Sequence, residues 1–297
     1  MPSFAQRRAL PHRILHAFTH MLRRLVWAWL LIAGIQPAFG TDKPLSFGVF
    51  PHLTARQIVE TYRPLASVVE KHLQRQVVIY TARDFKTFVE RTRQGEYDIL
   101  MTAPHLAWLA RQEAGYRPLL KYDQPVRGLL VVKADSPLDS LDALRGRTIA
   151  TADPLAMVAL ALHAELAAHR LRRDIDYQTM NAGTHLNAAM QVINGRTDAA
   201  MVGRHPYKLM PPELRRQVRV LAETPPLSSL MYLAHPRLGD AEAQAVREAL
   251  REFAASPAGQ AFMQGGGYGG FAEVDGHEFR AFRPYASQAQ DILRSTR

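Results

Sequence analysis

Four histidines, His52, His105, His185 and His205, each stand in a short polar stretch just after an apolar run. Around them lie Thr54, Arg83, Thr102, Thr184 and Arg204, all hydroxyl or guanidinium donors. Neutral imidazole both donates and accepts hydrogen bonds, threonine does the same, and arginine only donates. Gathered beside helix N-termini, such side chains suit a small anion, because backbone N–H groups and the helix dipole already favour negative charge there. The imidazoles would equally suit a metal ion or a metal chelate, although their spacing is no local metal motif of the His-Glu-x-x-His kind. Any one of these histidines reads plainly as a polar loop residue. Four of the nine histidines beyond residue 40 share this position, however, and together they point to a site.

Other chemistries are poorly served. The chain has no cysteine, which removes disulfide frameworks, zinc–thiolate sites, iron–sulfur clusters and cysteine nucleophiles. It shows no Gly-x-Ser-x-Gly, no close carboxylate pair in a loop and no Ser/His/Asp set. His185 with Asp153 is the one pair an enzyme could use, so the expectation is binding without catalysis and without a cofactor. Gly265–Gly270 matches Gly-x-Gly-x-x-Gly by letter, but it follows a helical pattern, precedes none and lacks a phosphate-binding lysine, so it reads as a flexible turn.

The elements that must position these residues alternate. Leu45–Phe50, Val77–Tyr80, Asp98–Met101 and Leu129–Lys133 read as strands, separated by helical patterns over 55–73 and after the caps Asp84 and Pro104. Pro64 should kink or break the first helix. The chain punctuates at Ala134–Pro137 and the pattern restarts. Strands at Arg147–Thr151, Tyr177–Met180 and Asp198–Val202 alternate with helices opened by Asp153-Pro154 and Thr184, and a strand at Ser228–Ala234 leads into a helix over 241–254. This predicts an α/β fold of two lobes, each a mostly parallel sheet flanked by helices and joined by a two-segment hinge. The expected bounds are 41–133 for the first part of lobe 1, 134–224 for lobe 2, and 225–297 for the return to lobe 1 with C-terminal helices. Ligands of open α/β sheets sit beyond the carboxyl ends of strands, where the polar residues above fall.

Arg23-Arg24, the apolar run Leu25–Ile35, Pro37 and the small-x-small site Ala38-Phe39-Gly40 describe a cleavable export signal over residues 1–40, cut near Gly40/Thr41. The location is then the periplasm. Met21 offers an alternative start to Met1. The formal charge is +10, but the first forty residues contribute five arginines and no acid. The remainder carries 32 basic against 27 acidic side chains. That surplus is too small to argue for nucleic acid.

The chain resembles the phosphate/phosphite/phosphonate-binding family of periplasmic substrate-binding proteins of ABC importers. The likeness is carried by Phe47–Pro51, Tyr62–Ala66, Gly95–Ile99, Ser140–Arg147, Gly183-Thr184-His185, Asn194–Ala200 and Gly267–Phe271. The resemblance implies a type-2 periplasmic binding fold closing over a small, anionic ligand such as an oxyanion or phosphonate, with an ABC permease as partner and the chain acting as a monomer. A ligand-sensing subunit of a membrane sensor kinase would use the same fold. The resemblance also implies a ligand role for His185. Where that family offers hydroxyls at a helix N-terminus, this chain has Ala156, Met157, Val158 and Ala159. The loss of two or three bonds of about 1.5–3 kcal/mol each argues against a simple phosphonate.

Overall fold

Residues 43–295 are described by the computed structural model, so the export signal expected over residues 1–40 lies outside them. Apolar runs too short for helices form strands, and the amphipathic stretches between them form helices. In chain order these are β1 (Leu45–Val49), α1 (Ala55–Leu73), β2 (Val77–Tyr80), α2 (Phe85–Arg93), β3 (Ile99–Thr102), α3 (Pro104–Ala114), β4 (Arg117–Tyr122) and β5 (Gly128–Lys133). Then follow β6 (Thr148–Thr151), α4 (Met157–Ala168), β7 (Gln178–Asn181), α5 (His185–Ile193), β8 (Ala199–Gly203), α6 (Arg204–Lys208), α7 (Pro212–Arg215) and β9 (Val218–Glu223). The return comprises β10 (Met231–Ala234), α8 (Asp240–Ala255), α9 (Pro257–Gly266), β11 (Phe271–Ala272), α10 (Gly276–Arg280) and α11 (Arg283–Ser295).

Two sheets result, ordered β11-β4-β10-β3-β1-β2 and β7-β6-β8-β5-β9. Each has a parallel core of three strands, β2-β1-β3 and β7-β6-β8. Antiparallel strands extend each sheet on one side, so the sheets are mixed, and the parallel character is confined to the βαβ units that sequence periodicity reveals. Leu129–Lys133, expected as the last strand of lobe 1, pairs instead with β8 and β9 in the second sheet. The crossing therefore lies one strand earlier than residue 133. The cause is β4, whose Arg117, Pro118 and Lys121 interrupt the apolar pattern and conceal a strand.

The two crossing segments run side by side. Val126 and Leu227 form an antiparallel bridge, with Val126 N–H donating to the Leu227 carbonyl at 3.0 Å and the reverse bond at 2.9 Å. This pairing is the two-segment hinge. Helix α1 runs unbroken through Pro64. Proline removes one backbone donor there, on the exposed face of the helix. Among the described residues no helix is long and apolar enough to cross a membrane.

Candidate functional site

A cavity of about 90 Å³ lies between the carboxyl ends of the parallel strands of both sheets. Its first wall comes from the six-stranded sheet: Phe50 and His52 after β1, Phe85 after β2 and Ala103 after β3. Its second wall comes from the five-stranded sheet: Ala156–Val158 after β6, His185 after β7 and Gly203–Pro206 after β8. Hinge residues Pro125–Arg127 close one side. The topology thus brings together loops that are more than 50 residues apart between the two walls, at the place where open α/β sheets bind ligands.

His52 is 5% exposed. Its Nδ1–H donates to the Phe50 carbonyl at 2.9 Å and its ring stacks on Phe50 at 4.6 Å. That fixes the tautomer, leaving Nε2 as an acceptor that the Tyr62 hydroxyl approaches only to 3.4 Å. Burial, reinforced by the nearby His205 and His185, holds its pKa down at about 3. His185 stands at the first position of α5, against the end of β8, where Gly203 N–H donates to its Nδ1 at 3.4 Å. Burial first, then His205, lowers it to about 4. His205, also lowered to about 4 by burial, donates to the Gly266 carbonyl. Its Nδ1 is buried with no partner. At neutral pH the site therefore holds three uncharged imidazoles.

Positive charge sits on the second wall and the hinge. Arg127 and Arg204 both pair with Glu223, while the Lys208 side chain reaches to the Gly267 turn. Three lining cations thus stand against one neighbouring carboxylate, and no aspartate or glutamate lines the cavity among the described residues. Between the polar groups the surface is apolar: Phe50, Phe85, Met157, Val158 and Leu230. Helix α4 begins at this surface with Ala156 as its N-cap and no side-chain capping bond. Nearly all of its first two turns is buried, as an all-apolar helix requires.

The glycine-rich stretch is part of the wall. Helix α9 ends at Gly267, which has φ 71°, and Tyr268 turns back into the cavity. A Cβ on Gly266 would come within 2.4 Å of the Tyr268 ring, so only glycine fits there. Tyr268 stacks on Tyr122 at 4.0 Å, and Tyr122 in turn hydrogen-bonds Tyr232, hydroxyl to hydroxyl, at 2.6 Å. An aromatic inside a glycine run was the available signal for this residue. Phe50, Phe85, Arg127 and Lys208 carried no such signal, because only the folded topology brings them to the cavity.

Of the residues singled out in the sequence, His52, His185, Arg204 and His205 line this cavity. Five do not. Thr54 is the N-cap of α1, in a reciprocal capping box with Gln57. Thr184 caps α5 by accepting the Asn187 N–H at 3.1 Å. Arg83 is exposed and paired with Asp84. Thr102 shares the face of Leu100 and points into a small interior space between α2 and α3, since side chains along a strand alternate. His105 is fully buried and bonds across the cleft, to the Leu155 carbonyl at 2.8 Å. Asp153 makes a second cross-cleft link: its carboxylate accepts the Leu155 N–H at 2.8 Å and also the Phe85 N–H from the opposite wall. Among the described residues no group of three histidine, cysteine, aspartate or glutamate side chains could hold a metal ion.

Comparison with known proteins gives the same outline. Residues 47–279 match the model of a family described as the ABC transporter, phosphonate, periplasmic substrate-binding protein. Similar solved structures include a binding-protein component of an ABC phosphonate transporter from Pseudomonas aeruginosa, with TM-score 0.74, 18% identity, and coverage of 85% of this chain and 89% of that one. PhnD1 from Prochlorococcus marinus, solved with methylphosphonate, gives TM-score 0.74 at 13% identity over 84% of this chain and 99% of that one. A Xanthomonas citri protein bound to ATP gives 0.68 at 22%, over 84% and 98%. At these identities the likeness to each is one of fold. No curated protein matched significantly.

Proposed function

The chain belongs to the periplasmic substrate-binding family of phosphonate ABC transporters and so captures a solute for an importer rather than catalysing a reaction; we propose that its solute is a small organic anion with an apolar body, held in the interlobe cavity. The observation that carries this is the convergence on one cavity of His52 from the first wall and His185, Arg204 and His205 from the second. The surplus of Arg127, Arg204 and Lys208 over Glu223 favours an acidic head, and the backbone start of α4 adds the positive end of its dipole. Phe50, Phe85, Met157 and Val158 favour an organic remainder in place of the hydroxyl-bonding oxygens of a bare phosphate.

Closure then does the work of affinity. Bringing the walls together removes water, and hydrogen bonds strengthen in the lower dielectric that results. The hinge pair Val126–Leu227 turns while the sheets stay rigid. The chain acts as a monomer, residues 1–40 direct export and are removed near Gly40/Thr41, and an inner-membrane ABC permease receives the loaded form.

A thermal-shift screen over phosphonates, sulfonates, carboxylates, inorganic phosphate and divalent metals tests the reading. A ligand at a hundred times its dissociation constant stabilises by about 2.7 kcal/mol. Shifts confined to organic acids support it. A shift only with inorganic phosphate or a divalent metal would overturn it.

A further inference from the structure

One of the cavity's imidazoles presents an unpartnered acceptor rather than a donor. His205 uses one nitrogen to donate to the Gly266 carbonyl, so its buried, unpartnered Nδ1 is a bare lone pair. His52 has spent its proton on the Phe50 carbonyl, and its Nε2 already accepts the Tyr62 hydroxyl at 3.4 Å. Burial keeps both rings unprotonated at neutral pH, so neither converts to a donor for an anion. A buried acceptor without a partner is costly, and an arriving ligand recovers that cost only by supplying a hydrogen-bond donor.

The source of that proton is limited by charge. An ammonium group would enter a cavity that already holds Arg127, Arg204 and Lys208 and offers no lining carboxylate. A buried cation with no counter-charge is expensive. A hydroxyl or an uncharged N–H meets both requirements. Resting on the capture reading above, we propose that this cavity selects organic acids carrying an uncharged hydrogen-bond donor, hydroxyl above all, which donates to His205 Nδ1 while the acidic group faces the cationic side.

The test uses ethyl, 2-hydroxyethyl and 2-aminoethyl compounds, each bearing a phosphonate, sulfonate or carboxylate head, titrated by calorimetry into the mature chain. The expected result, for whichever head binds, is the hydroxyethyl compound tighter by about tenfold or more than its ethyl and aminoethyl partners. In His205→Phe that preference should fall below about threefold, and in His205→Gln, whose amide oxygen still accepts, it should persist. Equal binding of the ethyl compound, or tightest binding of the aminoethyl one, overturns this inference while leaving the capture of an organic acid intact. An undiminished hydroxyl preference in His205→Phe overturns the assignment of this acceptor. Binding by none of the nine compounds counts against the capture reading and this inference together.

Discussion

His105, buried at the start of α3 behind the first wall, donates its Nε2–H to the carbonyl of Leu155 in the loop of the second wall, at 2.8 Å. Its Nδ1 has no partner. The residue is a clasp between the lobes and does not touch the cavity. Removing it in His105→Leu strands a buried carbonyl and should cost roughly 1–3 kcal/mol of the closed arrangement. Paired labels on the two lobes should report a more open ligand-free population, about tenfold or more shifted. An unchanged interlobe distance would show that His105 only fills space.

Asp153 is the other half of the clasp, and burial raises its pKa to about 6 from an ordinary 3.8. The folded state thus favours the protonated acid. Below pH 4 both states are protonated and no penalty arises. As pH rises through 6 the folded chain must ionise a buried group, at a full cost of about 3 kcal/mol. Asp153→Asn keeps an acceptor oxygen and never ionises. It should equal or exceed the parent in denaturant midpoint at pH 7.5, with the advantage fading toward pH 4.

The histidines act in the opposite sense and outnumber it. His52 is lowered to about 3, and His105, His163, His185 and His205 to about 4, all chiefly by burial. Above pH 6.5 they are neutral folded or unfolded. Between about 6.5 and 4 the unfolded chain takes up protons that the folded chain refuses. Five such sites less the one retained by Asp153 leave roughly four protons. Stability should fall by about 1.4 kcal/mol per proton per pH unit at its steepest, near pH 5. Urea titrations across pH 4–8 measure this slope, and a flat profile would contradict the burial of these rings.

Much of the scaffold was legible because its signals are local. Asp84 and Thr184 cap the helices their spacing predicts, and the βαβ periodicity locates six strands. What escaped depends on contacts between distant residues. Strand β4 is hidden by Arg117, Pro118 and Lys121, so the apolar pattern does not reveal that the chain crosses to the second sheet before β5. His52 and His205 looked no different from His105, yet only the twist of each loop decides which ring meets the cavity. Thr102 failed for a simpler reason: one residue along a strand reverses the face, and register cannot be read without the partner strands.

Positions 156 and 158 test the proposal that the cavity does not favour a simple phosphonate. Both line the cavity as apolar side chains at the start of α4. Ala156→Ser with Val158→Ser places two hydroxyls at the helix N-terminus. A single new bond to a charged oxygen, about 1.5–3 kcal/mol, would raise methylphosphonate affinity at least about tenfold. No gain by calorimetry would mean that the helix start does not face the acidic head.

In the proposed capture two walls, one from each sheet, grip the same guest. Calorimetry of the best ligand against single-wall variants tests that directly. His52→Ala and His205→Ala should each weaken binding about tenfold or more. Thr102→Val, buried in the first lobe but facing away from the cavity, should bind as the parent does. If one wall's variant binds unchanged, or if Thr102→Val loses as much as the other two, the shared cavity is not where the solute sits.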